Sequence, residues 1–278
     1  RSVWDQTFHD PRYAPTVLQQ RLVDAGTFGR KTGQGVYAYT DSAVLDPATG
    51  RPAAPDEVHE RHLAPRQVRY RGGWNVLLPV LQRARGVELV DLTEHPVGTG
   101  SHLLHAGTDD DGCAQAPGLV LPSGGMVVET PTEGELGLDD DAVVADWLLD
   151  AEHASRICLA PLPGATPQTV NEAIGFLQAA GLTVTLVKPV AGLVVARTVA
   201  MLVNEAVDLV ARGEASPDDV DTAMRLGTGY PLGPLEWGDR IGPLCVLAVL
   251  RALHDAEPTG RYRPSRLLVE AAQAGGLL

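Results

Sequence analysis

Long apolar runs are missing from this sequence. A membrane-spanning helix needs about 20 consecutive apolar residues, and the longest candidate, from residue 190 to Val203, is broken by Arg197. No membrane partner is expected. Cysteine is scarce: Cys113, Cys158 and Cys245 are scattered and odd in number. That excludes a disulfide framework and offers no zinc spacing, so the reading is no metal and a reducing, cytoplasmic compartment. Positive charge is in deficit, with 22 Lys and Arg against 35 Asp and Glu, net −13. A nucleic-acid surface needs clustered Lys and Arg, so no nucleic-acid partner is expected, and an anionic small molecule would need a local basic patch. An initiator Met and a signal peptide are also lacking. The chain opens Arg1-Ser2-Val3-Trp4, which reads as a piece of a longer polypeptide.

What is present is ordinary for a folded protein. Hydrophobic residues make up 44% and charged residues 21% of 278, a balance that supports a real core in one large or two small domains. Pro15 to Ala25 predicts a short helix stopped by Gly26, followed by the glycine-rich turn Phe28–Gly35 and a short extended segment. Residues 40–66, rich in Pro, Ala, Asp and Arg, read as a linker. From Gln67 the texture changes. Val68-Arg69-Tyr70 is strand-like, Gly72-Gly73 a turn, Trp74–Ala84 helix-like, and Val87–Leu92 a buried strand. That order opens a parallel α/β sheet.

Residues 93–142 are irregular. Their acidic runs, Asp109–Asp111 and Asp139–Asp141, read as solvated loops or helix N-termini, where carboxylates suit the helix dipole. Short apolar segments at Leu119–Leu121, Met126–Val128, Val143–Leu149 and Arg156–Ala160 supply further strands. Thr166-Pro167 predicts a helix start running to Ala180, and Leu182–Val187 a strand. Helices then follow at 193–212, 220–226, 241–254 and 264–274. Ser216-Pro217 caps the second of these, and a stiff turn occupies Gly227–Pro234.

Self-comparison finds a repeat split across the two ends. Asp10-Pro11-Arg12-Tyr13-Ala14-Pro15-Thr16-Val17-Leu18 matches Thr259-Gly260-Arg261-Tyr262-Arg263-Pro264-Ser265-Arg266-Leu267 without a gap, and Ala25-Gly26 matches Ala274-Gly275. Residues 1–39 thus read as the tail of one helical domain, and residues 189–278 as most of a second copy that lacks this tail. Repeats of this kind pair about a pseudo-two-fold axis, as a C₂ dimer does.

These residues resemble the 3-hydroxyacyl-CoA dehydrogenase family. Gly29-Arg30-Lys31-Thr32-Gly33-Gln34-Gly35-Val36-Tyr37 is similar to the glycine-rich end of its helical domain. Asn204-Glu205-Ala206, Asp218–Met224 and Gly227-Thr228-Gly229-Tyr230-Pro231-Leu232-Gly233-Pro234-Leu235 are similar to its body. The resemblance implies NAD-dependent oxidation of a 3-hydroxyacyl-CoA to a 3-ketoacyl-CoA. It also implies a Rossmann domain for the cofactor, a His–Glu base in that domain, and an Asn at the start of the first helix of the helical domain. Some members carry two such halves, the second degenerate, and those of phenylacetate and adipyl-type degradation share this layout.

Held against that pattern, the chemistry is depleted. A dinucleotide site needs Gly-x-Gly-x-x-Gly between strand and helix. Here Gly72 and Gly73 precede the bulky Trp74, and Asp91 stands about 20 residues on, where a ribose-binding acid would sit. The stretch that matches the family's histidine, Ile157–Pro161, has none; His153 just upstream reads as a surface histidine, and His95, His102 and His105 lie in an irregular loop. Ala196 replaces the Asn. Arg197, Asn204, Tyr230 and Pro231 survive as substrate or interface candidates.

The expected fold is α/β plus all-α: residues 67–188 a degenerate Rossmann-like parallel sheet, residues 189–278 a helical domain. The expected role is the C-terminal, non-catalytic half of the dehydrogenase. NAD is the family's cofactor and none is held by this chain. Its partner is an N-terminal catalytic half or a second copy, with acyl-CoA as a possible ligand. A non-enzymatic acyl-CoA-binding or scaffold module is the alternative.

Overall fold

The computed structural model of the chain describes residues 2–40, 44–45, 60–71, 83–91, 107–108, 114–115, 118–123, 126–129, 141–150 and 152–278. Gly72, Gly73, the helix expected from Trp74, the histidines at 95, 102 and 105, and Asp109–Asp111 lie outside the described residues. The chain divides into two compact units, Arg1–Asp56 with Thr259–Arg261, and Glu57–Pro258 with Tyr262–Leu278.

The first unit holds helix α1 (Ser2–Gln6), a tight turn at Pro11–Tyr13, helix α2 (Val17–Asp24), a second tight turn at Arg30–Thr32 and the antiparallel pair β1 (Ala38–Tyr39) and β2 (Val44–Leu45). Helix α2 begins where the sequence predicts, and its start is closed by its own side chains. The Thr16 hydroxyl accepts from the Gln19 amide at 3.2 Å, and the Gln19 side chain accepts from the Thr16 amide at 2.8 Å. This reciprocal pair satisfies two donors that a helix start leaves open. Ahead of it, the nearly buried Arg12 is paired with Asp10 at 2.9 Å. The Arg261 guanidinium donates to the Ala14 carbonyl at 2.7 Å, so equivalent stretches of the two repeat copies touch.

The second unit contains both the sheet and the helical bundle. Its main sheet is built from β3 (Gln67–Arg71), β4 (Glu88–Asp91), β7 (Gly118–Val120), β8 (Met126–Glu129), β9 (Ala142–Ala145), β10 (Arg156–Pro161) and β11 (Thr183–Leu186), in the order β11-β10-β9-β8-β7-β3-β4. A separate short pair joins β5 (Gly107–Thr108) to β6 (Ala114–Gln115). The Rossmann-like layer is present, and its sheet is mixed. β3 with β4, β8 with β9, and β10 with β11 run parallel, while β3 with β7, β7 with β8, and β9 with β10 run antiparallel. The connection between β7 and β8 is a hairpin only a few residues long, too short for the crossover that a parallel pair needs. The strand expected to be buried at Val87–Leu92 is β4, at the end of the sheet. Glu88 is exposed and Leu89 only half-buried there, because an end strand is covered on one side only.

The sheet's centre follows a period of two. Val127, Val143 and Leu159 face one way and meet Ala173, Ile174, Phe176 and Leu177 of helix α3 (Pro167–Ala179). Val128, Val144 and Ala160 face the other way and meet Leu193. Covered on both faces, β9 reads Ala-Val-Val-Ala with every residue buried, as central strands do. Phe176, Leu159 and Ile174 are among the largest fully buried side chains, each worth about 1.5–3 kcal/mol on transfer from water.

Two pieces of the stretch read as a linker carry structure. Val44–Leu45 is β2. Glu60 to Ala64 runs against α3, where Gln178 donates to the Glu60 carbonyl at 2.9 Å and accepts from the His62 amide at 2.9 Å. The backbone approaches so closely at Gly175 that an added Cβ would lie 2.3 Å from the Leu63 carbonyl oxygen, so any larger residue at Gly175 would push the segment off.

The bundle comprises α4 (Val195–Ala211), α5 (Pro217–Thr228), α6 (Pro234–Ile241), α7 (Pro243–Ala256) and α8 (Arg266–Ala274). Each of α5, α6 and α7 opens on a proline, whose missing N–H and fixed φ cost nothing at that position. Its core gathers Ala200, Val203, Val207, Trp237, Val249, Leu250 and Leu268 around Trp147, which follows β9. Among the described residues no helix is long and apolar enough to cross a membrane, and no cluster of metal-ligating side chains occurs.

Candidate functional site

The junction between β9 and α4 brings the candidate Arg197 and the neighbouring Ala196 beside a carboxylate that sequence reasoning missed. Asp146 follows the apolar strand β9 and is fully buried. Its carboxylate accepts from the amides of Val194 at 3.0 Å, Val195 at 2.7 Å and Ala196 at 3.0 Å, and from the amide of its neighbour Trp147 at 2.8 Å. The amides at the start of a helix point outward without partners and carry the positive end of the helix dipole. Asp146 supplies both the acceptors and the charge. The signal available in sequence was a lone acid closing an otherwise apolar strand, with no pattern linking it to a helix start about 50 positions later.

Ala196 occupies the first turn of α4 and is fully buried, with its amide held by Asp146. Its methyl group can neither donate nor accept. Arg197, next along, is anchored within the protein. Its guanidinium donates to the Ala191 carbonyl at 2.8 Å and lies 5.8 Å from the centroid of the Tyr262 ring, a cation–π arrangement. Asn204, two turns further on and fully buried, donates to the Arg263 carbonyl at 3.1 Å and accepts from the Ser265 amide at 2.7 Å. Arg197 and Asn204 therefore converge on one segment, Tyr262–Ser265, and fasten the start of α8.

Tyr230 and Pro231 lie in the turn between α5 and α6. Tyr230 is half-buried against Trp237 at 5.3 Å between ring centroids, and Pro231 is exposed. The turn is fixed by Asp221 of α5, whose carboxylate accepts from the amides of Leu235 at 2.8 Å and Glu236 at 3.0 Å. A Cβ added at Gly233 would sit 2.1 Å from the Asp221 carboxyl carbon, so the glycine is what lets this carboxylate reach the helix start. Asp221 was read only as part of a motif, and its capping role is visible only in three dimensions.

The remaining candidates are less connected. Asp91 closes β4 in register with Tyr70, and Gly72 and Gly73 fall outside the described residues. His153 is exposed and bonded through Nδ1 to Asp150 at 2.9 Å, a surface pair in which the histidine holds the aspartate below its ordinary pKa. Burial pushes the Cys158 thiol up, away from the thiolate that a reactive cysteine needs. Asp141, the last of the second acidic run, sits at the start of α3 and accepts from the Thr166 amide at 2.6 Å and the Thr169 hydroxyl at 2.7 Å. Partial burial works to raise its pKa, and these hydrogen bonds outweigh it and hold the carboxyl below 3.8.

Comparison with known proteins gives two matching family models. The 3-hydroxyacyl-CoA dehydrogenase C-terminal domain matches residues 1–39 and 192–277. The 3-hydroxybutyryl-CoA dehydrogenase reduced Rossmann-fold domain matches residues 129–190. The 3-hydroxyadipyl-CoA dehydrogenase of Escherichia coli (strain K12) is 30% identical over 271 residues, covering 98% of this chain and 46% of that protein. A probable 3-hydroxybutyryl-CoA dehydrogenase of Bacillus subtilis is 33% identical over 110 residues, covering 40% of this chain and 38% of that protein. The crystal structure of a 3-hydroxybutyryl-CoA dehydrogenase from Escherichia coli K12 superposes with a TM-score of 0.65 at 26% identity, covering 99% of this chain and 47% of the other. The chain spans less than half the length of these curated relatives.

Proposed function

The chain belongs to the 3-hydroxyacyl-CoA dehydrogenase family, and from this we propose that it forms the structural second half of an NAD-dependent enzyme converting a 3-hydroxyacyl-CoA to the 3-ketoacyl-CoA. An N-terminal catalytic half carries out the reaction, and this chain completes and stabilises it as the other member of a pseudo-dimer. The observation that carries this reading is Ala196. Where the resemblance calls for an Asn that positions substrate, the first turn of α4 presents a buried methyl group, and the amide donors around it are already taken by Asp146. A helix start is an anion-binding place only while its amides are available; this one is closed by the protein's own carboxylate.

The other requirements point the same way. Oxidation of the hydroxyl needs a base for its proton and a nicotinamide against its carbon. His153 is engaged with Asp150 on the surface. β3 leads into Arg71-Gly72-Gly73-Trp74, which lacks the glycine spacing that lets a backbone approach a pyrophosphate. NAD, the hydride acceptor, therefore belongs to the catalytic half. Arg197 and Asn204 serve the bundle rather than a substrate.

The purified 278-residue chain, mixed with NAD and 3-hydroxybutyryl-CoA, is expected to form no NADH above the protein-free rate. Turnover by this chain alone would overturn the proposal. Calorimetry separates the neighbouring possibility: binding of acyl-CoA without binding of NAD would make the chain an acyl-CoA-binding module.

A further inference from the structure

Two features that local sequence disfavours stand side by side at the entry to α4. Leu193 has a φ of +37° and is buried. Among the described residues the other positive φ angles outside glycine belong to Phe8 and His9, both exposed. A bulky residue rarely takes this backbone. Val194, at the N-cap, offers no side-chain hydrogen bond to the helix it begins, and valine is among the poorest residues there. Such a backbone persists only where the surroundings over-determine it.

The surroundings are two cores joined by two crossings of the chain. Val144 and Leu193 belong to the cluster on one face of the sheet, while Trp147 and Ala196 belong to the core of the bundle. The chain therefore passes from one core to the other between Val144 and Trp147, and again between Leu193 and Ala196. Asp146 lies within the first crossing. Its carboxylate accepts from the amides of Val194, Val195 and Ala196 in the second. The geometry points to Asp146 as a cross-brace that shuts a hinge at Gly192–Val194, so that sheet and bundle move and unfold together. Gly192, at a φ of +66°, makes the tight turn, and its carbonyl accepts from the Arg197 amide at 2.7 Å. Without the brace, three amides of the helix start lose their acceptor. The turn at Leu193 then relaxes toward an ordinary backbone, α4 parts from β9, and the two cores open separately.

Native-state hydrogen exchange in sub-denaturing urea reads the brace. In the wild-type chain the core amides of α3 (Ala173–Leu177) and α7 (Val246–Leu250) should converge on one shared opening. Leu268→Ala weakens the bundle with the brace intact and should lower both openings together. Asp146→Ala should speed exchange at Val194–Ala196 roughly 100-fold and split the openings of α3 and α7. Asp146→Asn keeps the shape and exchanges one accepting oxygen for a donor. It should give roughly tenfold faster exchange with the same split, and it decides the question where Asp146→Ala does not fold. Wild-type exchange at Val194–Ala196 in Asp146→Asn, or one shared opening in that variant, overturns the brace. So does a Leu268→Ala protein in which the α7 opening falls and the α3 opening does not. No substrate enters the measurement, so its outcome is independent of the turnover test of the proposed function.

Discussion

Thr16 and Ser265 occupy the same place in the two repeat copies and begin their helices in different ways. Thr16 closes α2 with a capping box made by its own helix. Ser265 makes no side-chain cap, and its backbone amide is met instead by Asn204 of α4. The same sequence pattern yields a self-sufficient helix start where the surface is open and a borrowed one where another helix is at hand. Local sequence thus decides that a helix begins; its neighbours decide what that start is worth. The borrowed start is tied to the bundle's core, so it should fail with the bundle, whereas the self-capped start should fail alone.

Truncating the buried side of this comparison carries the largest expected effect. Leu268→Ala removes a fully buried side chain from the bundle core and should lower stability by about 2–5 kcal/mol, measured by urea unfolding. Leu18→Ala, at an exposed position of the other copy, should change it by about 0.5 kcal/mol or less. Similar losses for both would mean that α2 is as well packed as α8 and would dissolve the contrast. Next comes Asn204→Ala, which strips the Ser265 amide and the Arg263 carbonyl of their partner. Two buried groups left unmet cost about 2 kcal/mol or more, and fraying of α8 should appear as faster hydrogen exchange there.

The same division between local and distant partners decides how much could be read from sequence. Helices with local starts were legible: Thr166-Pro167 and Ser216-Pro217 mark α3 and α5 where the structure places them. Strands β3, β4, β10 and β11 were legible within a residue, because short apolar or β-branched runs bounded by turns need no knowledge of neighbours, whereas β9, read as Val143–Leu149, ends at Ala145. Helix α6 was missed. Its eight residues follow a proline- and glycine-rich turn, and its start depends on Asp221 rather than on a cap of its own. The mixed sheet was also hidden, since strand direction is set by which connections are hairpins and not by any strand's composition. At the candidate site, an apolar residue at Ala196, where the family resemblance leads one to expect an Asn, was plain in the sequence. Asp146 was not, because a residue that acts across a long sequence separation leaves no local spacing. Arg197 and Asn204 were found but could not be assigned a partner until Tyr262–Ser265 lay beside them.

On the self-capped side, Thr16→Ala should remove the hydroxyl that accepts from Gln19 and weaken α2 by about 1 kcal/mol. Because nothing of α2 is buried, the loss should be local: protection of α2 amides should fall while the bundle's melting temperature stays put. A drop in the melting temperature comparable to that of Asn204→Ala would show that the first copy shares the bundle's cooperativity.

The smallest effect tests a start that combines both devices. α3 has its own Thr166 cap and also borrows Asp141 from the segment before β9. Hydrogen bonds from Thr166 and Thr169 hold the Asp141 carboxyl below its ordinary 3.8 in the folded protein. A carboxyl depressed by folding adds stability that is fully present above the unfolded value and disappears as pH falls through the folded one. Solvent screens this partly exposed group, so Asp141→Asn should cost about 0.5 kcal/mol or less at neutral pH. The gap between variant and wild type should close below pH 3.8, read from urea midpoints across the acid range. A gap that persists at low pH would mean that Asp141 acts through shape and neutral hydrogen bonds rather than through its charge.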